Sequence, residues 1–360
     1  MTADLTARPA DPDTPDGLAG PADPVVALRR RRRRRLTLVV ASLVVLLVAF
    51  ATLALTLGEA ALAPGRALAA LFGVGSDADV FVVHRLRLPR IETAVLAGAS
   101  FGLAGAMFQT TLRNPLASPD ILGIASGASL GAVTAMLVLG LTGLAVSGAA
   151  FLGALLVALA IWVFAWRQGL HSIRFVLVGV GFAYLCSSLL AWLLASVEIR
   201  AAQSALVWTV GSVADVRGAD LVTFAASALV LGAGIAAVSR WQRPLALGDD
   251  NARALGVPVD AARVTSLLLA VGLVGVATSF VGPLAFVALV APAIARRLLS
   301  DGGAALAVSV LTGALLVLAA DVVGQHLLFG LEAPTGIVTG LIGAPYLLWL
   351  LATDRRKRLA

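Results

Sequence analysis

The sequence predicts an all-α, polytopic membrane protein with about ten transmembrane helices. Three observations carry this. Hydrophobic residues make up 59% of the 360-residue chain and charged residues only 13%, where a soluble domain carries about 25% charged residues. Apolar runs long enough to cross lipid, which takes about 20 residues, recur from Leu36 to Leu351. The runs are continuous, unlike the short alternating segments of a membrane β-barrel.

The elements follow in order. Residues 1–28 are rich in Pro, Asp and Ala and lack periodicity, so a disordered tail is expected. Seven arginines, Arg29 to Arg35, close that tail at residue 35. The first span is expected over 36–57. Ala61-Leu62-Ala63 mimics a signal-peptide cleavage site, but the apolar run before it exceeds the about 7–15 residues of a signal-peptide core. An uncleaved first span is therefore predicted. The other nine are expected over 91–111, 121–140, 146–165, 175–196, 220–238, 264–281, 284–299, 305–322 and 336–353. The eighth is short and carries Pro292, which predicts a broken or partly re-entrant segment, tolerated only where protein covers the backbone. Residues 36–353 thus form one membrane domain, with a loop at 240–263 and a basic tail at 354–360.

Charge placement sets the orientation. With the N-terminus inside, inside segments hold 21 of the 27 Lys and Arg residues and outside segments hold 6: Arg66, Arg85, Arg87, Arg90, Arg200 and Arg217. That asymmetry supports both termini in the cytoplasm. It also explains the basic excess without nucleic acid.

Glycines recur at helical spacing. Gly123, Gly127 and Gly131 form one row, Gly98, Gly102 and Gly105 a second, and Gly336, Gly340 and Gly343 a third. Such rows let helix backbones approach closely in lipid. Packing within one bundle and a moving or dimeric interface both fit them.

Enzymatic and ion-coupling signatures are sparse. Lys357 is the only lysine, and no phosphate-binding Gly-rich loop ending in Gly-Lys-Ser/Thr exists, so the chain is not itself a P-loop ATPase. Cys186 is the only cysteine, and His84, His171 and His326 lie far apart, so no metal site and no catalytic residue is assigned. Glu92, Asp120, Asp220, Asp321 and Glu332 all fall near span ends or in loops, whereas an ion-driven carrier normally needs carboxylates inside its spans.

Two polar features remain. Leu247-Gly248-Asp249-Asp250-Asn251-Ala252-Arg253-Ala254-Leu255-Gly256 reads as a short helix opened by acidic residues, with Arg253 in its last turn and Gly256 ending it. Arg87 and Arg90 flank Pro89 at the mouth of the second span. They read either as an interfacial pair that snorkels or as a docking point for a partner's carboxylates.

Several short pieces, in this order and spacing, resemble the bacterial permease family that imports iron-siderophores, haem and vitamin B12 with ATP-binding-cassette partners (the FecCD-type transmembrane subunit). They are Arg87-Leu88-Pro89-Arg90, Gly105-Ala106-Met107-Phe108-Gln109, Asn114-Pro115-Leu116-Ala117, Leu247 to Gly256, Gly282-Pro283-Leu284-Ala285-Phe286-Val287, Pro292 with Arg296, and Pro334-Thr335-Gly336 with Gly343-Ala344-Pro345. Ala293, Ala288 and Gln325 depart from the usual pattern.

The resemblance implies a type II ABC importer architecture in the bacterial cytoplasmic membrane. A dimer of permeases, identical or not, would stand on two cytoplasmic ATPases and beneath an extracytoplasmic binding protein. ATP would be used by the partner, with no cofactor bound directly. Arg87 and Arg90 would receive the binding protein's acidic residues, and 247–256 would rest on the ATPase as the coupling element. Gly98, Gly102, Gly105, Gln109, Asn114, Pro115, Gly123, Gly127, Gly131 and Pro292 are the candidate packing and gating residues. A ferric siderophore is the expected substrate. A haem or cobalamin permease and, from another class, a stand-alone ion-coupled carrier are the alternatives.

Overall fold

The computed structural model of the protein describes residues 24–58, 61–165, 172–299, 305–326 and 332–358. The tail expected before residue 24, together with Arg167, His171 and the last two residues, lies outside the described residues. All regular structure among the described residues is helical.

The first helix, α1 (Pro24–Thr56), departs from expectation because it includes the arginine run assigned to the tail. Arginine is a good helix former, and Pro24 suits a first helical turn. A helix nucleated in the apolar span therefore extends through the arginines at little cost. Next come α2 (Pro64–Leu71), α3 (Asp77–Phe81), a π-helical turn over Val82–Arg87, and α4 (Leu88–Thr111). Residues 77–111 thus form one continuous rod, and Pro89, which lacks an N–H, lies inside it directly after the π-helical turn.

Further along stand α5 (Ile124–Leu137), α6 (Leu144–Ala165), α7 (Ser172–Ala195), α8 (Ile199–Val210), α9 (Ala219–Val238), α10 (Gln242–Ala246), α11 (Asp249–Ala254), α12 (Val259–Val281), α13 (Val287–Leu299), α14 (Leu306–His326) and α15 (Thr335–Arg358). Ten of these helices occupy the ten places where spans were expected. Among the described residues, 7 helices are long and apolar enough to cross a membrane. The short ones are α5, the apolar part of α15, and α13. Helix α8 was not anticipated, because a short amphipathic helix in a connecting segment carries no span signal.

Helix α4 forms the centre, packed on α14, α12 and α13, while α12 also packs on α9 and α6, and α5 packs on α6. The glycine rows explain how closely these backbones meet. A Cβ added at Gly98 would lie 2.2 Å from the Gly313 carbonyl oxygen, and one at Gly313 would lie 2.1 Å from that of Gly98. Gly102 meets the Ser309 carbonyl in the same way. Gly127 and Gly131 bring α5 against Gly153 and Ala149 of α6. The third row is mixed: Gly336 abuts Val210 and Gly343 abuts Phe286, but Gly340 has nothing within 4 Å.

The eighth span is short, but it does not break at its proline: Pro292 lies inside the continuous helix α13, and the non-helical stretch precedes that helix at 282–286. Helix α13 has 13 residues, about 20 Å at 1.5 Å per residue, against a hydrocarbon core of about 30 Å. Residues 282–286 complete the segment as non-helical chain buried by protein: Leu284 is fully buried. The end of α8 covers this break, since a Cβ at Gly211 would lie 2.3 Å from the Pro283 carbonyl oxygen. Ser212 N–H donates to the Val281 carbonyl at 2.8 Å. Phe286 adopts φ +65°, uncommon for a side-chain-bearing residue, and only a glycine at 343 leaves it room.

Candidate functional site

The polar residues gather in three places: the end of the bundle carrying Arg90, the α4–α13 contact, and the end carrying Asp249. At the first, Asp321 sits within α14, which runs past its expected end at 322 to His326. Its side chain is 4% exposed. A buried carboxylate needs partners, and four hydrogen bonds supply them. Arg90 donates from Nε and Nη2, each at 2.9 Å. Gln325 Nε2 donates at 2.6 Å and Thr335 Oγ1 at 2.9 Å. Arg90 thereby fastens α4 to α14 and the start of α15. Arg87 donates to the Leu55 carbonyl at the end of α1 and packs against Gly58. The two arginines singled out as docking residues are thus both engaged within the chain. Arg85, which sequence reasoning passed over, is the exposed arginine of this trio.

At the α4–α13 contact, Pro292 lacks the N–H that would bond the Ala288 carbonyl one turn earlier. Gly105 approaches this carbonyl: a Cβ there would lie 1.8 Å from its oxygen. One turn on, Gln109 Nε2 donates to the neighbouring Leu289 carbonyl at 3.1 Å, and Arg296 donates back to Gln109 Oε1. Gly105, Gln109 and Pro292 therefore form one unit, a relation their spacing in sequence does not display.

After α4 the chain turns at Arg113, whose φ is +50°. Asn114 N–H donates to the Gln109 carbonyl, and Asn114 Oδ1 accepts from Leu116 N–H at 3.0 Å across Pro115. The segment then folds back into the bundle. Leu122 is fully buried against Gly179, and Gly123 abuts Ala183, both on α7. Asp120, expected near a span end, is carried inward with it, its own N–H held by Ser118 Oγ at 3.2 Å.

At the far end, the expected short helix exists as α11, bounded by Gly248 at φ +107° and Gly256 at φ +78°. Its acidic opening works differently from expectation: no side chain caps the helix. Asp249 instead turns to two arginines. Arg263 donates to it at 2.9 and 2.7 Å, and Arg113 at 2.6 Å. Partial burial alone would raise the Asp249 carboxyl, but the hydrogen bonds from Arg263 and Arg113, and then their charges, hold it below the ordinary carboxylate value. Asp250 is fully exposed and meets only Arg253, at 3.4 Å. Asn251 Nδ2 donates to the Leu247 carbonyl, and Ala252 is buried. Ala254 ends the helix. Leu247 and Leu255, 62% and 63% exposed, project beside it. No group of three or more His, Cys, Asp or Glu residues among the described residues is placed to hold a metal ion.

The model of the FecCD transport family matches residues 45–353. The chain is 37% identical over 301 residues to the ferric enterobactin transport system permease protein FepG of Escherichia coli (strain K12), covering 84% of this chain and 91% of that one. It is 38% identical over 318 residues to the achromobactin transport system permease protein CbrC of Dickeya dadantii (strain 3937), covering 87% and 91%. A solved structure described as an inward-facing conformation of a metal-chelate type ABC transporter superposes with TM-score 0.76 at 27% identity, covering 87% of this chain and 98% of that one.

Proposed function

This chain belongs to the FecCD transport family, and on that footing we propose that it is the permease subunit of an ATP-driven importer of ferric siderophores. The family match over nearly all the spans carries this reading. The siderophore-transporting relatives support the substrate class. A cobalamin import permease of Halobacterium salinarum is 37% identical over 291 residues, so a corrinoid is the alternative cargo.

The permease works as half of a dimer in the bacterial cytoplasmic membrane, with both termini in the cytoplasm. Helix α7 leaves Leu177, Tyr184 and Trp192 exposed, and α15 leaves Leu341 and Leu348 exposed. These faces suit a second permease copy and lipid. The Arg90 end faces outward and receives the binding protein, with the exposed Arg85 meeting its carboxylates and Arg87 and Arg90, held by Leu55 and Asp321, adding positive charge behind it. The Asp249 end faces the cytoplasm. There Leu247 to Gly256 rest on one of two ATPase subunits, which alone bind and hydrolyse ATP. The chain breaks no bond of its substrate. Closure of the ATPases moves α11, and the short α13 with its Gly105–Gln109–Arg296 contact is the element that yields between access states.

Reconstitution tests this. The permease, its ATPase and a binding protein loaded with a ferric catecholate are placed in liposomes. Uptake is expected only with ATP inside and the binding protein outside. Uptake by the permease alone, driven by an ion gradient, would identify a secondary carrier instead.

A further inference from the structure

Sequence reading treats Asp249 and Asp250 alike, as two acidic residues opening a helix. The structure separates them. Asp250 points to solvent. Asp249 is gripped from two spans at once: Arg263 lies one turn inside α12, and Arg113 is the second residue beyond the end of α4. Arg113 also donates through Nε to the Leu245 carbonyl at 3.1 Å, on α10. One carboxylate therefore joins the end of α4, the α10–α11 elbow and the start of α12.

From this geometry we propose that Asp249 is a positioning residue for transport, a fork that makes α4 and α12 follow α11 together. The reasoning rests on the coupling role proposed for α11. A helix of 6 residues is not rigid by itself, so its displacement is passed on only through what it is fastened to. Backbone continuity fastens α11 to α12 through Leu255 to Pro258. Nothing in the sequence order fastens it to α4, since Arg113 and Asp249 are 136 residues apart. The Arg113–Asp249 bond supplies that link. Both contacts are charge-assisted, a single bond from Arg113 and a forked pair from Arg263, and such bonds are about twice as strong as neutral ones.

Arg113 is also well placed to transmit. Its φ of +50° is unfavourable for arginine, so side-chain partners help to hold the turn. The next residues are the Asn114-Pro115 turn and the segment that carries Leu122 and Gly123 into α7. Moving Arg113 thus moves a buried loop, and through it α5 and α7. Without the fork, only the Arg113–Leu245 contact and the packing of α4 on α12 carry α4 along with α11. The ATPase would then cycle with α4 and its loop following less fully.

The test uses the full complex in liposomes and reads substrate imported per ATP hydrolysed, together with ATPase co-purification. Asp249→Asn is expected to lower the ratio about tenfold, within the range of coupling free energies, while the ATPase still co-purifies. Asp249→Glu should restore most of it. Arg113→Gln should lower it similarly, and adding Asp249→Asn to Arg113→Gln should lower it little further. Asp215→Asn, an exposed charge removal at the other end, should leave it unchanged. A wild-type ratio in Asp249→Asn, or no rescue by glutamate, overturns the proposal. So does loss of complex assembly in both Asp249→Asn and Arg113→Gln, which would make the contact structural only. A wild-type complex without ATP-dependent uptake would instead overturn the function proposed for the chain.

Discussion

Replacing Arg90 by alanine tests whether this arginine is a surface residue or part of the frame. The substitution leaves Asp321, 4% exposed beside an arginine that is 25% exposed, without its forked partner. Removing one member of a buried ion pair costs about 3–5 kcal/mol. Arg90 keeps some solvent contact, and Gln325 and Thr335 still donate to the carboxylate, so the cost falls to the bottom of that range or just below it, about 2–3 kcal/mol. That corresponds to a fall in unfolding midpoint of roughly 3–4 °C for a chain of this size. Thermal unfolding of the purified protein in detergent measures it. A second variant sharpens the test. If the penalty is an uncompensated buried charge, Arg90→Ala combined with Asp321→Asn should unfold no earlier than Arg90→Ala alone. An unchanged midpoint in the single variant, or fully additive losses in the double, would refute the reasoning. Reversing the charge at Arg85, which is exposed, should leave the midpoint within about 0.5 kcal/mol and weaken only binding-protein capture.

Other expectations follow from the same contacts. Gly105→Ala places a methyl group 1.8 Å from a backbone oxygen and should cost about 1–3 kcal/mol or more, whereas Gly340→Ala, with nothing within 4 Å, should be neutral or slightly stabilising; parallel melting curves decide. Leu255→Asp puts a charge on a 63% exposed leucine of the proposed ATPase contact, and should cut uptake without lowering the permease's own melting point. The Asp249 carboxyl lies below its ordinary 3.8 in the folded chain, so its contribution is fully present above that value and is lost as pH falls through the lower folded value. The difference in midpoint between wild type and Asp249→Asn should therefore stay constant from neutral pH to roughly pH 5 and shrink only in stronger acid.

The helical frame was legible because it is written locally. Twenty-residue apolar runs and the close-approach rows at Gly98 and Gly127 are visible within a few turns, whereas Pro292 misplaces the non-helical stretch, which precedes α13. What escaped is what depends on distant partners. Asp321 looked like a residue at a span end, and only the fold brings Arg90 to it from 231 residues away. Gly105 and Gly340 look alike in sequence, yet one meets a carbonyl and the other open space. Asp249 and Asp250 are adjacent, and the roughly 100° step between neighbouring helix positions gives one two arginines and the other solvent. Leu122 and Gly123 were expected within the span at 121–140; that they instead form a turn before α5 and pack on α7 was not legible, because a turn that re-enters a bundle has no periodicity of its own.

The partnership between Arg90 and Asp321 also bears on how the chain is made. At roughly 5–20 residues added per second, the 231 residues between them take about 10–45 s to synthesise. Through that interval the close-packing stripe of α4 at Gly98 and Gly102 has no α14 to close against. The first half of the protein must therefore wait in the insertion machinery, or be shielded by lipid, with its central seam still open. Truncated nascent chains ending before α14 should be degraded far faster than those that reach Gln325.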